Sequence, residues 1–109
     1  MSIRKERLAD QIRDLLATSF LGGRMNDPRL EGVTITAVKL SPDMQVASVY
    51  YRVYEDVKRD DSLSALGRAS GFLKRSLKTL DIRRIPDLRF FYDESLERAA
   101  RIETLLGQI

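Results

Sequence analysis

The sequence predicts an α+β domain of two layers, a three-stranded mixed sheet with helices packed on one face. Three observations lead there. Its 109 residues fit one core spanning 1–109 and leave little room for a second domain. Apolar residues recur at helical spacing in some stretches and in β-rich runs in others, in the order α-β-β-α-α-β-α. Hydrophobic residues make up 43% of the chain. A chain of this size buries roughly two-thirds of its unfolded surface, so the absence of cysteine leaves no need for a disulfide or a metal staple.

Each element has a local cause. Leu8, Ile12, Leu15, Leu16 and Phe20 step by three and four with Arg7, Asp10, Arg13 and Asp14 between them, an amphipathic helix stopped by Gly22-Gly23. Pro28 disfavours helix at Asp27, and beyond Asp27-Pro28-Arg29-Leu30 the segment Val33 to Leu40 reads as a strand. Ser41-Pro42-Asp43-Met44 places proline at the second position of a turn. The Val/Tyr-rich run from Val46 to Tyr54 then completes a hairpin, with Ala47, Val49, Tyr51 and Val53 on one side. After the charged connection Glu55 to Asp61, Ser62 offers its hydroxyl as an N-cap. Leu63, Leu66, Ser70, Leu73, Leu77 and Leu80 carry one helical face onward. Gly67 and Gly71 interrupt this stretch, each costing about 1 kcal/mol against alanine, so a kink or a close approach is expected there. Ile85-Pro86 ends the helical pair, Leu88, Phe90 and Tyr92 alternate as a third strand, and Asp93 caps a last helix using Leu96, Ala99, Ala100, Ile102, Leu105 and Leu106.

Charge and composition narrow the function classes. Nineteen Lys plus Arg against sixteen Asp plus Glu give +3 and a pI near 9.4, a modest basic excess that suits an anionic partner. Without His or Cys the commonest general base, thiol nucleophile and zinc ligands are missing, and no phosphate loop, dinucleotide turn or nucleophile elbow occurs. The expectation is a protein that is not an enzyme, without cofactor or metal. Asp10, Gln11, Arg13 and Asp14 break any signal sequence after the basic start. No apolar run approaches the roughly 20 residues that span a bilayer. A cytoplasmic protein with no membrane contact is therefore expected.

The densest basic segment runs from Lys74 to Arg89. Lys74, Arg75, Lys78, Arg83, Arg84 and Arg89 stand against Asp81 and Asp87. Lys74 and Lys78 share a helix face and Arg75 lies about 100° round it, opposite the leucine stripe, where such cations can neutralise phosphates or form an ordinary solvated face. Gly67-Arg68-Ala69-Ser70-Gly71 lies immediately before them. Backbone without side chains there would admit a phosphate chain, and a small-residue packing kink explains it equally well. Arg4, Lys5 and Arg7 add a basic N-terminus partly offset by Glu6 and Asp10. Tyr50 and Tyr54 point opposite Tyr51 on a regular strand, where aromatics can stack on bases, although Tyr-rich strands are common. Asp93 and Glu97, one helical turn apart, are the nearest approach to a carboxylate pair, and capping at a helix start is their ordinary role.

Five strings in order, Asp27-Pro28-Arg29-Leu30, Val33 to Val38, Leu40-Ser41-Pro42-Asp43, Arg83 to Phe90 and Tyr92-Asp93-Glu94-Ser95-Leu96-Glu97, resemble the ribosome-binding factor A family across essentially the whole chain. The resemblance implies a type II KH-like fold whose Gly-x-x-Gly loop is replaced by an Ala-x-Gly kink, here Ala69-Ser70-Gly71. It implies binding to immature 30S subunits and 16S rRNA, help in late rRNA processing and in cold adaptation, and release by a GTPase. The charged C-terminal tail of some members has no counterpart here, so no role of such a tail is carried over. Arg68, Ser70, Gly71, Lys74, Arg75, Lys78, Arg83, Arg84, Arg89, Arg4, Lys5 and Arg7 are the expected RNA contacts of a protein that is a monomer when free. Reversing Lys74 and Lys78 should spare the fold and weaken subunit binding, and Gly71→Ala should disturb packing or recognition. A protein-interaction module docking on a ribosomal protein or a GTPase is the alternative, and an acylphosphatase-like hydrolase ranks last.

Overall fold

A computed structural model describes residues 3–20, 30, 32–53 and 59–107. Helix α1 spans Ile3–Ser19, strands β1 and β2 span Val33–Leu40 and Val46–Val53, and helix α2 spans Arg59–Ser76. A 3-10 turn at Leu77–Thr79, strand β3 at Asp87–Tyr92 and helix α3 at Ser95–Gly107 follow. The second member of the helical pair is thus a single 3-10 turn. The sheet order is β1-β2-β3, with β1 and β2 antiparallel and β2 and β3 parallel. Only the parallel pairing needs a crossover, and α2 with its 3-10 turn supplies it. Gly22-Gly23, Asp27 to Arg29 and Tyr54 lie outside the described residues.

The hairpin turn is built from side chains as much as backbone. The Met44 amide donates to the Ser41 carbonyl at 2.8 Å, while Asp43 Oδ1 accepts from the Ser41 hydroxyl at 2.7 Å and from the Gln45 amide at 3.1 Å. Met44 takes a positive φ of 61°, a left-handed position uncommon for a side chain of its size. Gly32, at φ 83°, fills the same kind of position just before β1, where glycine carries no penalty. Between Ile35 and Ala37 the β1 register shifts. This bulge re-aims Thr36, whose Oγ1 donates to Asp93 Oδ2 at 2.6 Å.

The core lies between one face of the sheet and the two long helices. Ala47, Val49, Tyr51 and Val53 of β2 point inward as their alternation predicts, with Ile12 and Leu16 of α1 and Leu66, Leu73 and Leu77 of the crossover packed over them. Two details differ from the sequence reading. Helix α2 starts at Arg59, so Ser62 is not its N-cap; it sits inside the first turn, fully buried. The buried line therefore runs through Ser62, Ala65, Leu66 and Leu73, and Leu63, about 100° round the helix from Ser62, is left exposed. Helix α3 forms where Asp93 caps it, its Oδ1 accepting the Ser95 amide at 2.9 Å. It buries none of its residues; Leu96, Ile102, Leu105 and Leu106 are 56–64% exposed.

Candidate nucleic-acid interface

Because Leu66, Leu73 and Leu77 turn inward, the opposite side of α2 presents Gly67, Arg68, Gly71, Phe72 and Arg75 to solvent, and Lys78 follows in the 3-10 turn. Arg68, Phe72 and Arg75 are spaced by four and three and share one ridge. Ser70 Oγ donates to the Gly67 carbonyl at 2.8 Å, a back-bond that often accompanies a slight helical bend. The helix nonetheless runs unbroken to Ser76, and α geometry gives way only at Leu77. A methyl group on Gly67 would meet nothing within 4 Å, and one on Gly71 would touch only Arg75 Nη1, at 3.6 Å. Packing inside the molecule therefore explains neither glycine.

A second group assembles from distant parts of the chain. Arg4 and Arg7 of α1 and Arg83 and Arg84 after the 3-10 turn line one groove of about 600 Å³, with Asp43 and Asp81 as its acids. The Ser41 hydroxyl and the Gln45 amide hold the Asp43 carboxyl below its ordinary range, and Arg84 adds a smaller pull. Arg84 also acts on Asp87, as does Arg89, although Lys74 is the main cause of the lowered Asp87 pKa. Lys74 Nζ lies 2.5 Å from Asp87 Oδ1, a tie between α2 and β3.

The expected contacts thus divide. Arg4, Arg7, Arg83 and Arg84 come together; Arg68, Ser70, Gly71, Arg75 and Lys78 follow the crossover helix. Lys5 is already engaged within the protein. Arg89 pairs in register with Ser48 while its neighbour Leu88 packs against the core, so Arg89 emerges on the sheet face away from α2. Lys74 serves a tertiary contact, so its reversal would disturb α2 against β3 as well as any partner. Sequence reasoning missed Phe72, 43% exposed. Its signal is an apolar residue about 100° off the Leu66-Leu73 line between two arginines. Asp93 and Glu97 are both occupied: Asp93 by Thr36 and Ser95, Glu97 by Arg52, whose two terminal nitrogens reach its carboxylate at 2.7 and 2.9 Å. These are structural roles, as a helix start favours.

Two layers in this order, with a basic helical surface, define a small α+β binding domain of the expected KH-like kind. Residues 4–106 match the family model described as Ribosome-binding factor A. The chain is similar to Ribosome-binding factor A of Desulfatibacillum aliphaticivorans, 43% identical over 108 residues that cover 97% of this chain and 87% of the relative. It also resembles the crystal structure of ribosome-binding factor A from Thermus thermophilus, with a TM-score of 0.72 and 34% identity, covering 81% of this chain and 94% of that one. A homology model of Thermus thermophilus ribosome binding factor A, fitted into the cryo-EM map of a 30S–RbfA complex, gives a TM-score of 0.68 and 33% identity over 84% of this chain and 97% of that one. The chain belongs to the ribosome-binding factor A family.

Proposed function

We propose that this protein binds the immature 30S subunit in the cytoplasm, grips 16S rRNA by its phosphates and assists late rRNA maturation, and that a GTPase releases it. The observation that carries the reading is the convergence of Arg4, Arg7, Arg83 and Arg84 on one groove, in a molecule whose helix α2 also exposes two glycines that have no internal reason. Four guanidiniums against two carboxylates leave a net positive concavity, and arginine forks match phosphate oxygens two at a time. The bare backbone at Gly67 and Gly71 on the unbroken helix would let a sugar-phosphate chain approach α2 between Arg68 and Arg75.

The test is co-sedimentation with purified 30S subunits over a salt series. Arg83→Glu/Arg84→Glu and Arg75→Glu/Lys78→Glu spare the Lys74–Asp87 tie and should keep the wild-type melting temperature. Each should weaken binding and flatten the dependence of log K on log salt by about 0.7–0.9 for every phosphate no longer neutralised. Wild-type affinity and slope in both variants would refute phosphate binding at these positions. The protein-docking alternative is favoured by the exposed apolar side of α3, and a binding constant nearly independent of salt would select it.

A further inference from the structure

The sheet face turned away from α1 and α2 carries chemistry that the helical surface leaves unused. In register across the strands, Lys39, Ser48 and Arg89 form one row and Ala37, Tyr50 and Phe91 the next. The Tyr50 and Phe91 rings lie 5.7 Å apart between centroids and 32° from parallel, and Lys39 Nζ stands 5.5 Å from the Tyr50 centroid. Phe91 is 45% exposed, so its ring remains open to a partner. Three acids around this face are ion-paired, Asp87 with Lys74, Glu97 with Arg52 and Glu94 with Arg59, while Asp93, held by the Thr36 hydroxyl and the Ser95 amide, keeps its single negative charge against Lys39 and Arg89. Lys39 and Arg89 make no ion pair with any described residue, so the face keeps a positive excess. Helix α3 walls one side of it. The resulting groove, about 520 Å³, has Lys39 and Tyr50 on its sheet side and Arg98, Ala99 and Ile102 on its helical side, with Asp93 and Glu94 as its acids.

We propose that this open face takes a single-stranded RNA segment, with bases stacked on Tyr50 and Phe91 and the flanking phosphates on Lys39 and Arg89. The proposal rests on the reading that the protein binds rRNA, and adds a second surface with a different form of partner. An exposed ring beside a half-buried one, with cations at their border, is a combination that single-stranded RNA recognition can use, because every unpaired base offers a π-face. A duplex keeps its bases stacked inside and gives such rings nothing to hold. Cations without matching acids select an anionic chain over an apolar protein surface. Stacking with charge reads little sequence, so a weak base preference belongs to the proposal.

The experiment uses the full chain with fluorescein-labelled decauridylate, decaadenylate and a ten-base-pair RNA duplex, followed by anisotropy, with 30S co-sedimentation in parallel. Tyr50→Leu/Phe91→Leu tests the rings. Lys39→Glu/Arg89→Glu tests the cations at exposed positions where the fold is not at stake. Both variants should bind each single strand about tenfold or more weakly than wild type and the duplex as wild type does. Unchanged single-strand affinity of Lys39→Glu/Arg89→Glu overturns the proposal. So does loss of 30S binding with oligonucleotide affinity intact, which would make the face a protein dock. Failure of the wider reading shows separately, as wild-type protein that does not co-sediment with subunits at all.

Discussion

Gly67 and Gly71 sit where a helix prefers alanine, and the space above them is open. The fold alone would be better served by methyl groups. Gly67→Ala is accordingly expected to raise unfolding stability by about 0.5–1 kcal/mol, read from urea midpoints, while weakening 30S co-sedimentation if RNA backbone lies against the helix. Gly71→Ala should behave alike, because its methyl meets only the movable end of Arg75; a disturbance of packing is not expected. Tyr51 is the converse case. Its ring is fully buried, yet its hydroxyl finds no hydrogen-bond partner among the described residues, and burial raises its pKa. Tyr51→Phe should be neutral or stabilising by up to about 1 kcal/mol in the same urea titration, with the fold unchanged by circular dichroism. The alternation of β2 discloses that Tyr51 points inward, but no pattern in a sequence reports whether a buried hydroxyl meets an acceptor.

Helix α3 is held by a polar clasp instead of a buried stripe. Arg52 grips Glu97 with both terminal nitrogens and also donates to the Asp93 carbonyl at 2.6 Å, Arg59 pairs with Glu94, and both guanidiniums lie over the Tyr92 ring, at 5.2 and 4.1 Å. Hydrogen bonds from Thr36 and Ser95 lower the Asp93 pKa to about 2, and the arginines lower those of Glu94 and Glu97. Depressed carboxyl values mean stability that is complete above the unfolded values and lost as pH falls through the folded ones. The clasp should therefore loosen below about pH 4, and Thr36→Val should move the Asp93 titration back up toward 3.8 in a carboxyl-carbon NMR titration. Arg52→Ala should open α3 at neutral pH, seen as faster proteolysis within 95–107 while the core amides keep their hydrogen-exchange protection. The helix itself was legible from Asp93 and the spacing of Leu96, Ala99 and Ile102. Its exposure was not, since amphipathic periodicity states that a face is apolar and not what covers it. The bounds of strand Val33–Leu40 are legible from its β-rich run and the Ser41-Pro42 turn that ends it, whereas its bulge between Ile35 and Ala37 is not; a serine before a leucine stripe, as at Ser62, resembles a cap whether or not the helix has already begun.

Across the whole molecule the cations sort onto two sides of the sheet. A sequence reading joins Lys74 to Arg89 in one patch because they are near in the chain. The strand register separates Arg89 from the helical group, while folding brings Arg4 and Arg7 to Arg83 and Arg84 across more than seventy positions. Local charge density was legible; its division between faces depends on β3 parity and on where α1 ends up, which only the tertiary arrangement fixes. A subunit-binding salt titration that combines Arg75→Glu/Lys78→Glu with Lys39→Glu/Arg89→Glu should show near-additive losses, since no described contact joins the two pairs. The sheet also sets the order in which the chain can assemble. Its antiparallel ladder closes over a turn of a few residues, on a scale of about 1–10 μs for such hairpins, whereas the parallel ladder must wait for a whole helix to swing across. Leu88→Ala in β3 should then mainly speed unfolding, whereas Val38→Ala in β1, which faces Val49 across the antiparallel ladder, should slow refolding more; φ-values from stopped-flow rates would give the two halves of one sheet different places in the assembly order.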